Sequence, residues 1–321
     1  MSELILFGRA LPVLPAASTL PDWQQADPRW MASALHIALG RSGGGWFLVD
    51  DRRRFGSEPR GYRIDDRDLV FWRGPNGLMA APDVCPHMGA SLAAGCVRKG
   101  LLVCPWHGME LGDKPQGAWR PLPVHDDGVL VWVRLDDAGE APMELPAMPE
   151  RPARYIDAVV RLEARCRPED VLANRLDPWH GVHYHPHTFR RLQVVERKDD
   201  EITVRVAFAV VGRLAVEVDA RFHCPDPRTI VMTIVRGDGA GSVVETHATP
   251  IDETRCAVIE ATLATSDRPQ FAHVVRFARW ARPWLERRAQ RLWVEDVAYA
   301  ERRRVVQERR PLAAGGSATQ R

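Results

Sequence analysis

Cys85-Pro86-His87 and, after sixteen intervening residues, Cys104-Pro105-Trp106-His107 offer two thiols and two imidazoles on two short segments. Such a donor set suits two occupants. A tetrahedral zinc would take all four groups on one ion. A [2Fe–2S] cluster would take both thiolates on one iron and both imidazoles on the other. Structural zinc usually pairs Cys-x(2–4)-Cys with His-x(3–5)-His. Here each segment mixes one Cys with one His, an order that lets each loop reach both irons. Pro86 and Pro105 fix φ and remove an amide. Gly89, Gly95, Gly100 and Gly108 permit the tight turns that bring backbone amides near sulfur.

A second set of donors lies in Asn174-Arg-Leu-Asp177-Pro-Trp-His180-Gly-Val-His183-Tyr-His185-Pro-His187. On a helix Asn174, Asp177 and His180 step by three and share a face. Gly181 loosens the backbone and Pro186 pushes His185 toward extended geometry. The helix is therefore expected to end near His183, letting His185 fold back to the same point, with His183 as the competing second histidine. Two histidines and a carboxylate form the Fe(II) triad that keeps open positions. Asp296 is the candidate carboxylate, because Ala289, Leu292, Trp293, Tyr299 and Ala300 surround it as an apolar helical stripe. An ionised carboxylate there is costly unless a cation meets it. Arg303 is the alternative counter-ion. Glu295, with Arg288, Arg291 and Arg302 at matching offsets, reads as a solvated ion-pairing residue, and His183 and His187 read as surface histidines.

The pattern Cys-Pro-His-x(16)-Cys-Pro-Trp-His-Gly resembles the Rieske signature. With Asp-x(2)-His-x(4)-His and a late helical carboxylate, the whole chain resembles the alpha (oxygenase) component of Rieske non-haem iron ring-hydroxylating oxygenases. That resemblance implies that Cys85, His87, Cys104 and His107 hold a Rieske [2Fe–2S] cluster and that His180, His185 and Asp296 hold one mononuclear Fe(II). It implies that Asp177 bridges toward a cluster histidine and that Asn174 stands near the iron. It implies an α+β fold, with a small antiparallel β Rieske domain ahead of a helix-grip (START/Bet v 1-like) catalytic domain. The expected assembly is a head-to-tail homotrimer in which Asp177 faces His87 or His107 of a neighbour. The expected reaction uses O2 and electrons from a ferredoxin, itself served by a ferredoxin reductase with NAD(P)H. The outcome is most simply hydroxylation of a hydrophobic substrate, possible classes being isoprenoid and aromatic; desaturation, demethylation and cis-dihydroxylation compete. Two positions depart from the family pattern: Ala173 replaces the usual acid before Asn174, and Met109 replaces the common Trp after His107-Gly108. Neither removes a ligand.

The elements that must position these residues follow from pattern. Residues 1–44 read as an irregular arm followed by a helix from Pro28 to Leu39, with Gly40 at C′. Short apolar runs at 46–49, 69–72, 78–81, 101–104 and 129–133 read as strands of a Rieske domain over 45–135. Residues 136–154, with four prolines, form a linker. The catalytic domain, 155–310, opens with a strand at 155–164 and a helix from Pro168. It continues through alternating strands at 202–211, 214–222, 229–235, 242–248 and 255–264. Asp267 to about Glu308 reads as helix, kinked or divided at Pro283, and 311–321 as a disordered tail. Val204, Val206, Phe208, Val216 and Ile230 are expected to face a greasy cavity, with Arg213 or Arg221 available to a carboxylate.

Composition bounds the rest. The 321 residues are 45% hydrophobic and 27% charged, with a formal charge of +2. That balance argues against nucleic acid as a partner, and no apolar run approaches a transmembrane span. No secretory signal is recognised, so the cytoplasm is expected. Cys96, Cys166, Cys224 and Cys256 are scattered and read as small buried hydrophobes. From Arg276 to Arg310, eleven arginines face five acids, which reads as a solvated helical face or a docking surface for an acidic ferredoxin. No flavin or nicotinamide fingerprint is found, so reducing power must come from separate proteins. Two other classes remain: a Rieske electron carrier or lipid-binding protein without mononuclear iron, and a structural zinc domain on a binding module.

Overall fold

The computed structural model describes residues 5–6, 9–10, 22–211 and 214–309. Most of the expected N-terminal arm, Arg213 and the 311–321 tail lie outside them. Helix α1, Pro28–Leu39, starts where expected because Asp27 Oδ1 accepts from the amides of Arg29 at 3.0 Å and Trp30 at 3.1 Å. Pro28 occupies a first-turn position where a missing amide costs nothing. Gly40 ends the helix at φ −80°, not in the left-handed conformation of a C′ glycine.

Nine strands follow: β1 Trp46–Asp51, β2 Arg60–Ile64, β3 Arg67–Gly74, β4 Gly77–Pro82, β5 Cys96–Arg98, β6 Leu101–Val103, β7 Glu110–Leu111, β8 Val124–Asp126 and β9 Leu130–Arg134. They pair as three antiparallel three-stranded sheets, β8-β9-β1, β2-β3-β4 and β5-β6-β7. The β2–β3 hairpin turns on Asp65 and Asp66, both left-handed at φ 49° and 61°, the geometry of a two-residue type I′ turn. Their amides donate to Pro250 O at 2.8 Å and Ile251 O at 3.0 Å in the second domain.

The second domain is a seven-stranded antiparallel sheet: β10 Ile156–Ala164, β11 Phe189–Arg197, β12 Glu201–Val211, β13 Leu214–Asp226, β14 Thr229–Gly237, β15 Val243–Pro250 and β16 Cys256–Ala264. Consecutive strands from β11 to β16 form a meander, and β10 pairs with β16. Strand β11 is absent from the sequence expectation. Bulges after Phe189 and Val194 break its alternation, and its arginines suit an edge strand. Helices α2 Pro168–Leu176 and α3 His180–Tyr184 precede β11, and α4 Phe271–Arg276 and α5 Ala278–Arg309 follow the sheet. Helix α5 packs on β10 and α2.

Two local expectations are corrected. The long helix divides at Phe277, not at Pro283, which sits inside α5. In the second turn of a 32-residue helix, loss of one amide is tolerated. The 174–183 segment is two helices, because Asp177 precedes Pro178 and leaves the helical region at φ −108°, ψ 69°.

The domains share apolar packing. Trp46, Leu48, Val129, Leu130 and Trp132 form one buried cluster with Val159, Ile251, Ala257, Ile259, Ala261 and Leu263. Beside it, Arg151 clasps Glu245 of β15 at 2.6 and 3.0 Å and also bonds Asp127 of the β8–β9 turn. Cys166 and Cys256, read above as scattered, are buried with sulfurs 3.5 Å apart. Burial pushes the Cys224 thiol up to about 12, in keeping with an inert small hydrophobe.

Candidate metal centres

The two Cys/His loops have the same backbone design. Gly89 N donates to Cys85 O at 2.8 Å and Cys85 N to Ala90 O at 2.8 Å; Gly108 N donates to Cys104 O at 3.0 Å and Cys104 N to Met109 O at 2.9 Å. Each turn closes on a left-handed glycine, φ 80° at Gly89 and 70° at Gly108. A Cβ would meet nothing within 4 Å at either position, so conformation and not space requires glycine there. Cys85 and Cys104 are buried, whereas His87 and His107 are exposed, their rings 4.8 Å apart and 74° inclined. Burial works to raise the Cys104 pKa, but the Trp106 and His107 amides and the Cys85 thiol, all bonded to its sulfur, hold it below the ordinary thiol value. Two adjoining buried sulfurs, topped by two paired imidazoles, fit a Rieske cluster. Val84, Met88 and Trp106, all exposed, surround the histidines.

The second centre joins three elements. His180 opens α3, His185 follows it and Asp296 lies on α5. Their donor atoms all lie within 4.8 Å of one another. His180 Nε2 is 3.0 Å and His185 Nε2 2.8 Å from Asp296 Oδ1. Each imidazole is held from behind: His180 Nδ1 by the Asp177 carbonyl and His185 Nδ1 by Glu295 Oε2 at 2.5 Å. With Nδ1 donating, Nε2 keeps its lone pair for a metal. Burial works against an ionised Asp296, yet the two imidazoles and Arg175 hold it well below the usual carboxylate range. Burial likewise works to lower the His185 pKa, but Asp296 and Glu295 on either side raise it. Such a pocket favours a cation, and its two-histidine, one-carboxylate donors fit Fe(II).

Asn174 Nδ2 lies 3.2 Å from Asp296 Oδ1 and 3.4 Å from His180 Nε2. Asp177 Oδ2 accepts from Tyr299 Oη at 3.2 Å, and Tyr299 stacks on His180 at 5.0 Å. Asp177 Oδ1 is buried without a partner among the described residues. His183 is exposed and outside the three-residue group, and His187 lies 3.8 Å from Glu295. Arg303 pairs with Asp170 instead of Asp296. Glu295 corrects the sequence reading most: one position from Asp296, it bonds a candidate ligand instead of meeting only arginines. Arginines at i−7, i−4 and i+7 masked it; its adjacency to Asp296 was the available signal.

His180, His185 and Asp296 all line a cavity of about 350 Å³ between the sheet and α5. Val204, Val206, Phe208 and Ile230 line it as expected; Val216 does not, and Arg221 is exposed away from it. Its arginines are Arg175 and Arg288, neither of which the sequence reading placed in the cavity.

Residues 45–132 match the family model of the Rieske [2Fe-2S] domain. A Rieske domain leading into this antiparallel sheet and long helix is the architecture of the Rieske oxygenases. The structure of dicamba monooxygenase bound to dicamba superimposes with a TM-score of 0.62 at 22% identity, covering 84% of this chain and 91% of that one. Residues 137–311, more than half of the chain, match the family described as a domain of unknown function, DUF5914, and the chain belongs to that family. The vanillate O-demethylase oxygenase subunit of Pseudomonas sp. (strain HR199 / DSM 7063) is 43% identical over 68 residues, 21% of this chain and 19% of that protein. The dicamba O-demethylase oxygenase component of Stenotrophomonas maltophilia is 30% identical over 117 residues, 30% of this chain and 34% of that one. The chain therefore spans about a fifth to a third of the length of these curated relatives. Among the described residues no helix is long and apolar enough to cross a membrane.

Proposed function

We propose that this chain is a terminal oxygenase component that oxidises, most simply by hydroxylation, a compact apolar substrate at the expense of O2. Cys85, His87, Cys104 and His107 would hold a Rieske cluster, and His180, His185 and Asp296 one Fe(II). When bound, the two centres supply one-electron transfer and O2 activation, respectively. The observation that carries the reading is the convergence of His180, His185 and Asp296 on the wall of an apolar cavity, in a chain that also carries the Cys/His loops. Glu295 and the Asp177 carbonyl fix the two imidazoles, Asn174 orients the Asp296 carboxylate, and the apolar wall excludes water from the reacting face.

The proposed assembly is a head-to-tail trimer in the cytoplasm, fed by a separate ferredoxin and its NAD(P)H-dependent reductase. Exposed His87 and His107 suit a tip that meets another chain, and the unpartnered Asp177 Oδ1 suits a cluster histidine of a neighbour as donor. The 45–135, 136–154 and 155–310 divisions are proposed as the working domains. Iron quantitation tests the core of the reading: about three irons per chain fit an oxygenase, whereas two fit an electron carrier. Incubation with ferredoxin, reductase, NADH and apolar substrates under labelled O2 should place label in product; NADH consumption without labelled product would reject it.

A further inference from the structure

Within the cavity one polar group stands apart from the metal-facing residues. Glu260 on β16 is 4% exposed and lines the cavity. Three donors reach it, and all three fall on one oxygen: Arg175 Nη2, Trp293 Nε1 at 2.8 Å and Thr246 Oγ1 at 3.4 Å contact Oε2. Among the described residues no donor reaches Oε1. A carboxylate oxygen on a cavity wall with no such donor is left to solvent or to the hydroxyl of a ligand. Arg175 is ion-paired to Glu260 through Nη2 and lies over the Trp293 ring at 4.6 Å, while its Nε is buried without a partner among the described residues and so is not presented to the cavity. The pair is close to neutral, and what it leaves toward the cavity is an acceptor.

We propose that Glu260 Oε1 is the substrate's polar anchor, so that this cavity selects an apolar molecule carrying a neutral hydroxyl donor and rejects its carboxylate counterpart. The proposal rests on the oxygenase reading only in calling the ligand a substrate. The same cavity is lined by apolar side chains from β12 and β14, including Val204, Val206 and Ile230, which give the remainder of the molecule no hydrogen bond. Thr188 Oγ1 is buried without a partner, but a hydroxyl both donates and accepts, so it does not discriminate. Arg288, the other cavity cation, lies over Trp284 at 5.6 Å, and Trp284 is half exposed at the rim. Trp293, which holds Glu260, precedes Asp296 by three positions on α5, about 4.5 Å along the helix axis. The anchored end of a ligand therefore lies close to the proposed iron, and the cavity volume, near the low end of about 300–1000 Å³ for small-molecule sites, admits one compact molecule.

A matched series on one scaffold tests this by calorimetric binding to the purified protein without reductant: 4-hydroxybiphenyl, biphenyl, 4-methoxybiphenyl and biphenyl-4-carboxylate. The hydroxyl compound should bind about tenfold or more tighter than biphenyl and the methyl ether, as expected for a hydrogen bond to a carboxylate, and the acid most weakly. Glu260→Gln sharpens the test. Its amide oxygen should stay with the three donors, turning the amide nitrogen, a donor, toward the cavity. Hydroxyl and ether oxygens can both accept from that nitrogen, so the advantage of 4-hydroxybiphenyl over 4-methoxybiphenyl should fall from about tenfold to about twofold or less. Equal affinities across the series, an undiminished hydroxyl advantage in Glu260→Gln, tightest binding of the acid through Arg288, or no binding at all would each overturn the proposal. Discrimination without labelled product would sustain it and reject the oxygenase reading alone.

Discussion

The tip of the first domain and the cavity wall of the second place the same kinds of donor in opposite settings. At the tip, the sulfurs are sunk and the imidazoles exposed, on loops closed by glycines that nothing crowds. In the wall, His185 and Asp296 are each about 1% exposed, and a second contact fixes each ring. A group that passes electrons to another protein needs reach. One that meets O2 and a greasy molecule, as proposed for the cavity wall, needs orientation and exclusion of water.

If the regions are independent, their losses must be separable. Cys104→Ala should abolish the cluster's visible absorption while the second centre keeps its iron; Asp296→Ala should do the reverse and lower product formation at least about 100-fold. Metal analysis with absorption spectra reads both, and simultaneous loss of the cluster and the mononuclear iron from either variant would break the comparison. The next effect concerns what joins them. Arg151→Met strands Glu245, whose side chain is fully buried, and should destabilise the protein by about 3–5 kcal/mol in urea unfolding. The clasp also predicts a pH response. Burial works to raise the Glu245 pKa, but bonds from His247 and Arg151 depress it. A depressed folded value means that this stabilisation is complete above the unfolded carboxylate pKa of about 4.3 and is lost as pH falls through the folded value. Unfolding followed against pH should show wild type losing more stability on acidification than Arg151→Met.

Smaller effects probe the contrast in support. Glu295→Gln should weaken Fe(II) binding by about 10–100-fold, measured by competition with a chelator, and leave the cluster spectrum untouched. Gly108→Ala has open space for its methyl group and should cost only the left-handed backbone term, about 1–2 kcal/mol. A larger loss would show that the tip is packed more tightly than its exposure indicates.

How much of this was legible depended on how local each signal was. The Cys/His loops read directly because ligands, prolines and glycines lie within a few residues of one another. Asp296 was legible because a carboxylate on an apolar stripe conflicts with its surroundings. Glu295 was not, since its arginine neighbours supplied a sufficient local explanation while its contact to His185 spans 110 positions. Strand β11 was hidden by bulges, and the break at Asp177 by weighing the helical step of three above Pro178. The inward direction of Glu260 depends on strand register and on Arg175 and Trp293 from two helices, which no period encodes.

The apolar cluster shared by Trp46, Leu48 and Trp132 with Ile259 and Leu263 has a consequence for how the molecule comes apart. Cutting the chain within the proline-rich connector would leave both fragments with greasy scars, so neither half should stay monodisperse alone. Intact, the two halves should melt in one calorimetric transition, and the slowest-exchanging amides should straddle the seam between them.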